Sequence, residues 1–170
     1  MRFHRISLIA TAALLANTHA SATPLMSADW AARACEAWNK NPILTDELAE
    51  KWIKNDGGRG YKIVHMYRTD CGEATKVELK IVPQGGKAIC AYGGKVQTTN
   101  LNMDMDYVMH AETKRWREMG AGEYGPMRAM MFGRLKFDGP KAEAMRVMGP
   151  FEQFLLLPGK IPGEDACPAK

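Results

Sequence analysis

The sequence predicts an α+β fold, and three observations predict it. Apolar residues recur at helical spacing towards both ends of the chain, the stretch from Tyr61 alternates with a period of two, and glycine-rich turns separate the alternating runs. Strands grouped between groups of helices are the pattern of a sheet with helices segregated against it.

Residues 1–22 stand apart. Basic Arg2 and Arg5 precede an apolar run from Ile6 to Ala16, and Ala20-Ser21-Ala22 supplies small residues for cleavage. This is the pattern of a secretory signal peptide cut near Ala22, so the expected location is the periplasm or the cell exterior. The run is too short to span a bilayer, which takes about 20 apolar residues. Its removal leaves 148 of 170 residues, a size suited to one core, and lowers the formal charge from +4 to +2 because the segment holds two arginines and no acid. Lysine and arginine recur along the whole chain, which gives no support to a nucleic-acid partner.

In residues 23–44, Trp30, Ala34 and Trp38 fall four apart, giving a helix with one apolar face that Asn41-Pro42 ends. A second helix is expected from about Asp46, with Thr45 as N-cap and Leu48 and Trp52 on one side. Asn55 to Gly60, NDGGRG, reads as a flexible break. Tyr61, Ile63, His65 and Tyr67 then alternate with Lys62, Val64, Met66 and Arg68, and Val77, Leu79 and Ile81 alternate with Lys76, Glu78 and Lys80. These are strands with one wetter face. A turn at Gln84-Gly85-Gly86 leads into KAICAY, completing a three-strand meander, and a fourth strand, MDYVMHAE, follows a polar loop around Thr98 to Asn102. Thr113 to Met119 is helical, Pro126 opens another helix that Gly133 stops, and GRLKFDG is a short strand with Leu135 and Phe137 on one face. A last helical region starts near Pro140 and must kink or restart at Gly149-Pro150, because proline lacks the donor an unbroken helix needs. Residues 158–170 form a Gly/Pro-rich tail.

The four cysteines, Cys35, Cys71, Cys90 and Cys167, lie 36, 19 and 77 residues apart and match no CxxC motif. Export makes disulfides plausible, with three pairings open; Cys35 with Cys71 and Cys90 with Cys167 is the favoured one.

Several chemistries are poorly supplied. Ser27 is the one serine after residue 22, and no GxSxG elbow is present. GRLKFDGPK lacks the glycine-rich turn of a phosphate loop. His65 and His110 stand without HExxH or paired cysteine ligands, so no zinc is expected. Asp104 and Asp106, two apart, are expected as solvated carboxylates on the wet face of a strand. In NMDMDYVMH, Met103, Met105 and Met109 would share one side of a strand; soft thioethers suit Cu(I), and they equally fill cores. A periplasmic Cu(I)-binding protein is therefore the alternative reading. No cofactor fingerprint is present, and none is expected. Eleven methionines follow residue 22, concentrated between Met103 and Met148 beside Phe132, Phe137, Phe151 and Phe154. Either a loosely specified core or a deformable pocket accounts for that composition.

The order of features from Asp106 onward resembles the sterol-binding domain of the sterol carrier protein family. Asp106-Tyr-Val-Met opens a strand, a helix around Trp116 comes next, then Gly120 to Gly122, Gly125-Pro126-Met127, Gly133-Arg-Leu-Lys-Phe-Asp-Gly139, and Ala142 to Met148. The likeness extends over residues 45–157; the leader, the cysteines and the Gly149-Pro150 interruption depart from the family pattern. It implies a mixed, mainly antiparallel five-stranded sheet with helices packed on one face, enclosing an apolar tunnel. Met105 and Met109, the helix residues Met127, Met130 and Met131, Leu135 and Phe137 of GRLKFDG, and Met145, Met148, Phe151, Phe154 and Leu155 are the implied lining. The implied activity is non-covalent binding of a sterol-like or fatty-acyl lipid, as a carrier in the periplasm, without catalysis. The implied partners are a small hydrophobic ligand and a transient membrane contact.

Overall fold

The computed structural model of the protein describes residues 23–169. The expected signal peptide, residues 1–22, lies outside the described residues.

The first helix, α1 (Ala28–Asn39), is capped by Ser27, whose Oγ accepts the Trp30 N–H at 3.2 Å. Its buried stripe is Trp30, Ala31, Ala34, Cys35 and Trp38. Asn41-Pro42 separates helices as expected, but it also starts the next one: the Asn41 carboxamide accepts the Ile43 N–H, Pro42 takes the first turn, and α2 runs Pro42–Thr45 before α3 (Glu47–Lys51). Thr45 is thus the end of a helix and not an N-cap; its hydroxyl donates to Asp46. The NDGGRG break is held in place. The Asp56 carboxylate accepts the N–H groups of Gly58 and Gly60 at 2.8 Å each, and Arg59 donates twice to Asp106.

Strands β1 (Lys62–Arg68), β2 (Val77–Gln84) and β3 (Lys87–Lys95) form the antiparallel meander, β4 (Tyr107–Ala111) returns parallel to β1, and β5 (Lys136–Asp138) closes the edge antiparallel to β4. The order β3-β2-β1-β4-β5 makes a mixed, mainly antiparallel five-stranded sheet. Its register sends Val64, Met66, Leu79, Ile81, Met109 and Phe137 towards the helices. The wetter face expected of β1 does not exist. As the middle strand it is covered on both sides, and its polar residues Lys62, His65 and Arg68 are buried. Partners replace water: Glu143 for Lys62, Glu78 for His65, and the carbonyls of Asp165 and Ala166 for Arg68.

Beyond the sheet come α4 (Thr113–Gly120), α5 (Pro126–Met131), α6 (Lys141–Arg146), α7 (Met148–Leu155) and α8 (Leu157–Lys160). The restart required by Gly149-Pro150 falls at Val147, so Pro150 sits in the first turn of α7, where no donor is needed. Pro158 opens α8 in the same way. The final residues return to the body: Leu25 N–H donates to Glu164 O, and Arg117 pairs with the Asp165 carboxylate at 2.7 Å.

All four cysteines are bridged, in a pairing different from the favoured one. Packing of α1 across β3 brings Cys35 to Cys90, and the returning tail brings Cys167 to Cys71 in the β1–β2 connection, each pair with Cα atoms 5.3 Å apart. The contact between α1 and β3 is tertiary, which sequence spacing does not report.

Candidate functional site

Two apolar spaces lie between sheet and helices, and Phe137 lines both. The inner one is a hollow of about 40 Å³ lined by Trp38, Leu48, Trp52, Val64, Tyr107, Met109, Phe137, Ala144, Val147, Phe151 and Phe154. The outer one is an open groove of about 680 Å³ along the sheet edge, lined by Met127, Met130, Met131, Leu135, Phe137 and Met145, with His110, Gly133, Lys136, Asp138 and Lys141 around them. The lining implied by the resemblance is shared between these two spaces, and Phe137 borders both. The inner space is small, about 40 Å³ against about 680 Å³, and the outer has room for a small amphiphile.

Local sequence explains why the groove stands where it does. Pro126 starts α5, and Gly133, at φ +63°, ends it by turning the chain back on itself. The N–H groups of Arg134 and Leu135 both donate to Ala129 O, which folds β5 under α5. At the other end of GRLKFDG, Gly139 has φ +132°, and a Cβ there would lie 2.5 Å from Asp106 O. The two glycines that fence the motif thus allow a short strand to leave one helix, pair with β4 and enter α6.

The predicted lining residues divide accordingly. Met127, Met130, Met131, Leu135, Phe137 and Met145 meet in the groove. Met109, Phe151 and Phe154 join Phe137 in the hollow. Met148 is half-buried against the core, Leu155 is buried within it, and Met105 packs over Gly57, away from both spaces. Trp38, Leu48, Trp52, Val64, Tyr107, Ala144 and Val147 are additional to the predicted lining, and the first four come from outside the segment where the methionines concentrate. Alternating thioethers do not align for copper either. A turn closed by Asn102, whose carbonyl accepts from Met105 and Asp106, takes Met103 and Met105 out of the strand; Met103 is exposed and Met109 faces the hollow. That turn also buries Asp106, which is paired with Arg59 at 2.8 Å and accepts the Ile63 and Asn102 N–H groups, so it is not a solvated carboxylate.

Polar chemistry beside the hollow is self-contained. Lys62 Nζ donates to Glu143 at 2.6 Å, Tyr107 donates its hydroxyl to the same carboxylate, Trp52 Nε1 donates to Tyr107 at 3.0 Å, and Asn55 donates to the other Glu143 oxygen at 2.8 Å. Burial pulls the Lys62 ammonium below its usual range despite the opposing pull of Glu143. Burial, then the bond to Glu143, pushes the Tyr107 hydroxyl far up, so it remains a donor. Lys62 and Glu143 stand 81 residues apart, and no local signal joins them. On the groove rim, His110 stacks on Tyr67 with ring centroids 4.7 Å apart, and burial lowers its affinity for a proton. Among the described residues no cluster of three His, Cys, Asp or Glu side chains is arranged to hold a metal ion.

The pattern of the SCP-2 sterol transfer family matches residues 47–152. Among solved structures, a crystal structure of sterol carrier protein 2 is similar with a TM-score of 0.54 and 18% identity, covering 81% of this chain and 98% of that one. The solution structure of a conserved hypothetical protein from Thermus thermophilus, described as a possible sterol carrier protein, is similar with a TM-score of 0.50 and 17% identity, covering 86% of this chain and 97% of its own. At these identities the likeness concerns the fold. No curated protein sequence matches the chain.

Proposed function

The chain belongs to the SCP-2 sterol transfer family, and from that premise we propose that it binds a sterol-like or fatty-acyl lipid non-covalently in the groove between α5, β5 and α6. The observation that carries this reading is the groove itself: about 680 Å³, with the apolar side chains of Met127, Met130, Met131, Leu135, Phe137 and Met145 converging on it and the polar ones of His110, Lys136, Asp138 and Lys141 around them. An acyl chain of about fifteen methylenes gains up to ~12 kcal/mol on leaving water, enough to offset the cost of ordering it without dedicated polar contacts. Four flexible thioethers can fit ligands of different shape. Binding, and not bond chemistry, is the activity supported. Two disulfides that use every cysteine favour an oxidising setting and agree with a carrier role in the periplasm.

The test is titration of a fluorescent fatty acid and a fluorescent sterol into the purified protein. The double variant Met127→Glu/Met145→Glu changes two exposed groove residues, so the fold should survive. We expect uptake by the wild type and affinity at least about tenfold weaker in the variant, since each carboxylate would have to be desolvated against the ligand. A wild type that takes up neither probe, or a variant that binds as well, would sink the proposal.

A further inference from the structure

The polar lining of the groove is not spread evenly over the elements that form it. Helix α5 contributes only Met127, Met130 and Met131, whereas β4 contributes His110, β5 contributes Lys136 and Asp138, and α6 opens with Lys141. Two cations against one anion leave this rim one positive charge uncompensated. Among the described residues, neither lysine forms an ion pair, while Lys76, which shares the adjoining basin with Lys141, is already paired with Glu73 at 2.6 Å. His110 adds a donor. Its Nδ1 is buried with no hydrogen-bond partner, and an N–H buried without an acceptor is costly, so the neutral ring keeps its proton on Nε2. A ligand that ends in one negative charge satisfies both lysines and this donor. A neutral hydroxyl or ester leaves the charge of the rim unanswered.

We propose that Lys136, Lys141 and His110 make the groove selective by headgroup charge, so that it prefers an amphiphile with a single carboxylate, an ionised fatty acid, to the same chain as an ester. The tail lies among the thioethers, and the carboxylate lies at the β5 edge. His110, Asp138 and Lys141 also border a second basin of about 660 Å³ beside Tyr67 and Lys76. The head therefore keeps part of its hydration, which spares the large cost of burying a charge. This inference rests on the groove being the lipid site and assigns the end of the ligand that stays near water.

The experiment is titration of the purified protein with a fluorescent fatty acid and with its methyl ester at roughly pH 8, several units above the pKa of a carboxyl group. The readout is the ratio of the two affinities, which a general loosening of the fold would leave alone. The wild type should favour the acid about tenfold, roughly threefold for each exposed cation, and the preference should shrink as salt rises. Lys136→Gln/Lys141→Gln should bring the ratio close to one, and Lys136→Arg/Lys141→Arg should preserve it. Asp138→Asn, which removes the one anion of the rim, should raise it about threefold. A wild type that binds acid and ester equally, a preference that survives in the glutamine variant or is lost in the arginine variant, or a ratio that falls in Asp138→Asn would overturn the proposal. Equal uptake of the two probes defeats this inference alone, whereas a wild type that takes up neither defeats the groove reading and this one together.

Discussion

Asp106 illustrates how one side chain can be fixed by what surrounds it. It is fully buried, yet Arg59 grips both carboxylate oxygens and two backbone N–H groups, from Ile63 and Asn102, point at it. Burial by itself would raise its pKa; the Arg59 hydrogen bonds and then the two backbone bonds more than offset this, so the carboxyl is held below its ordinary 3.8. The sign comes from linkage. A carboxyl whose pKa is lowered by folding contributes stability that is complete above its unfolded value and is lost as pH falls through the folded one. Asp106→Ala should therefore cost about 3 kcal/mol near neutrality, the low end for a broken buried pair because Arg59 is partly exposed and can turn to water. Urea unfolding as a function of pH checks this: the gap between wild type and variant should stay constant above pH 3.8 and narrow below it. A gap that widens in acid would show that Asp106 is neutral in the native protein. The sequence correctly places Asp106 at a strand entrance, but its partner lies 47 residues upstream in a loop that composition alone reads as loose.

At the scale of elements, α4 and α8 approach each other closely. Gly120 and Gly159 touch there, and a Cβ on Gly159 would stand 2.0 Å from Gly120 O. The obstacle is backbone, so no side-chain rotation relieves it and the two helices would have to part. Gly159→Ala should lower stability by roughly 1–3 kcal/mol, measured by urea unfolding; a neutral result would mean that α8 is free to shift. The tail after α8 carries Cys167, and its bridge to Cys71 spans 96 residues, so parting α4 from α8 works against a covalent tether. Helices and strands marked by local punctuation were legible: Pro126, Gly133 and Gly149-Pro150 each impose a backbone condition that holds in any context. Asn41-Pro42 was legible as a stop but not as a start, because an N-cap shows itself only when the residues after it are helical, and α2 is a single turn with no repeat of apolar spacing. The bridges and the burial of Lys62 and Arg68 were not legible, since both depend on which element lies across the sheet.

For the molecule as a whole, the sequence shows where methionine and phenylalanine concentrate but not how the space between sheet and helices is shaped. The resemblance implied a shared lining from Met127, Met130, Met131, Leu135 and Phe137, and all five border the groove. Whether neighbouring apolar faces enclose a hollow or fill it is decided by volumes contributed from Trp38, Leu48 and Trp52, which lie far away in the chain. The outcome rests on Phe137, which borders both the 40 Å³ hollow and the 680 Å³ groove and packs against Tyr107 and Phe151 at centroid distances of 5.4 and 5.7 Å. Phe137→Ala should cost about 3–5 kcal/mol, as expected for removing a buried ring whose neighbours cannot collapse fully. It should also join the two spaces. A longer acyl probe could then pass from the groove into the interior and recover part of the loss, because a ligand that binds only the folded chain stabilises it by mass action. Wild type should discriminate little between medium and long acyl probes, whereas Phe137→Ala should prefer the long one and gain more from it in thermal unfolding. Equal probe preference in the two proteins would mean that the ring does not stand between the spaces, and that the inner hollow is core packing unconnected with the ligand site.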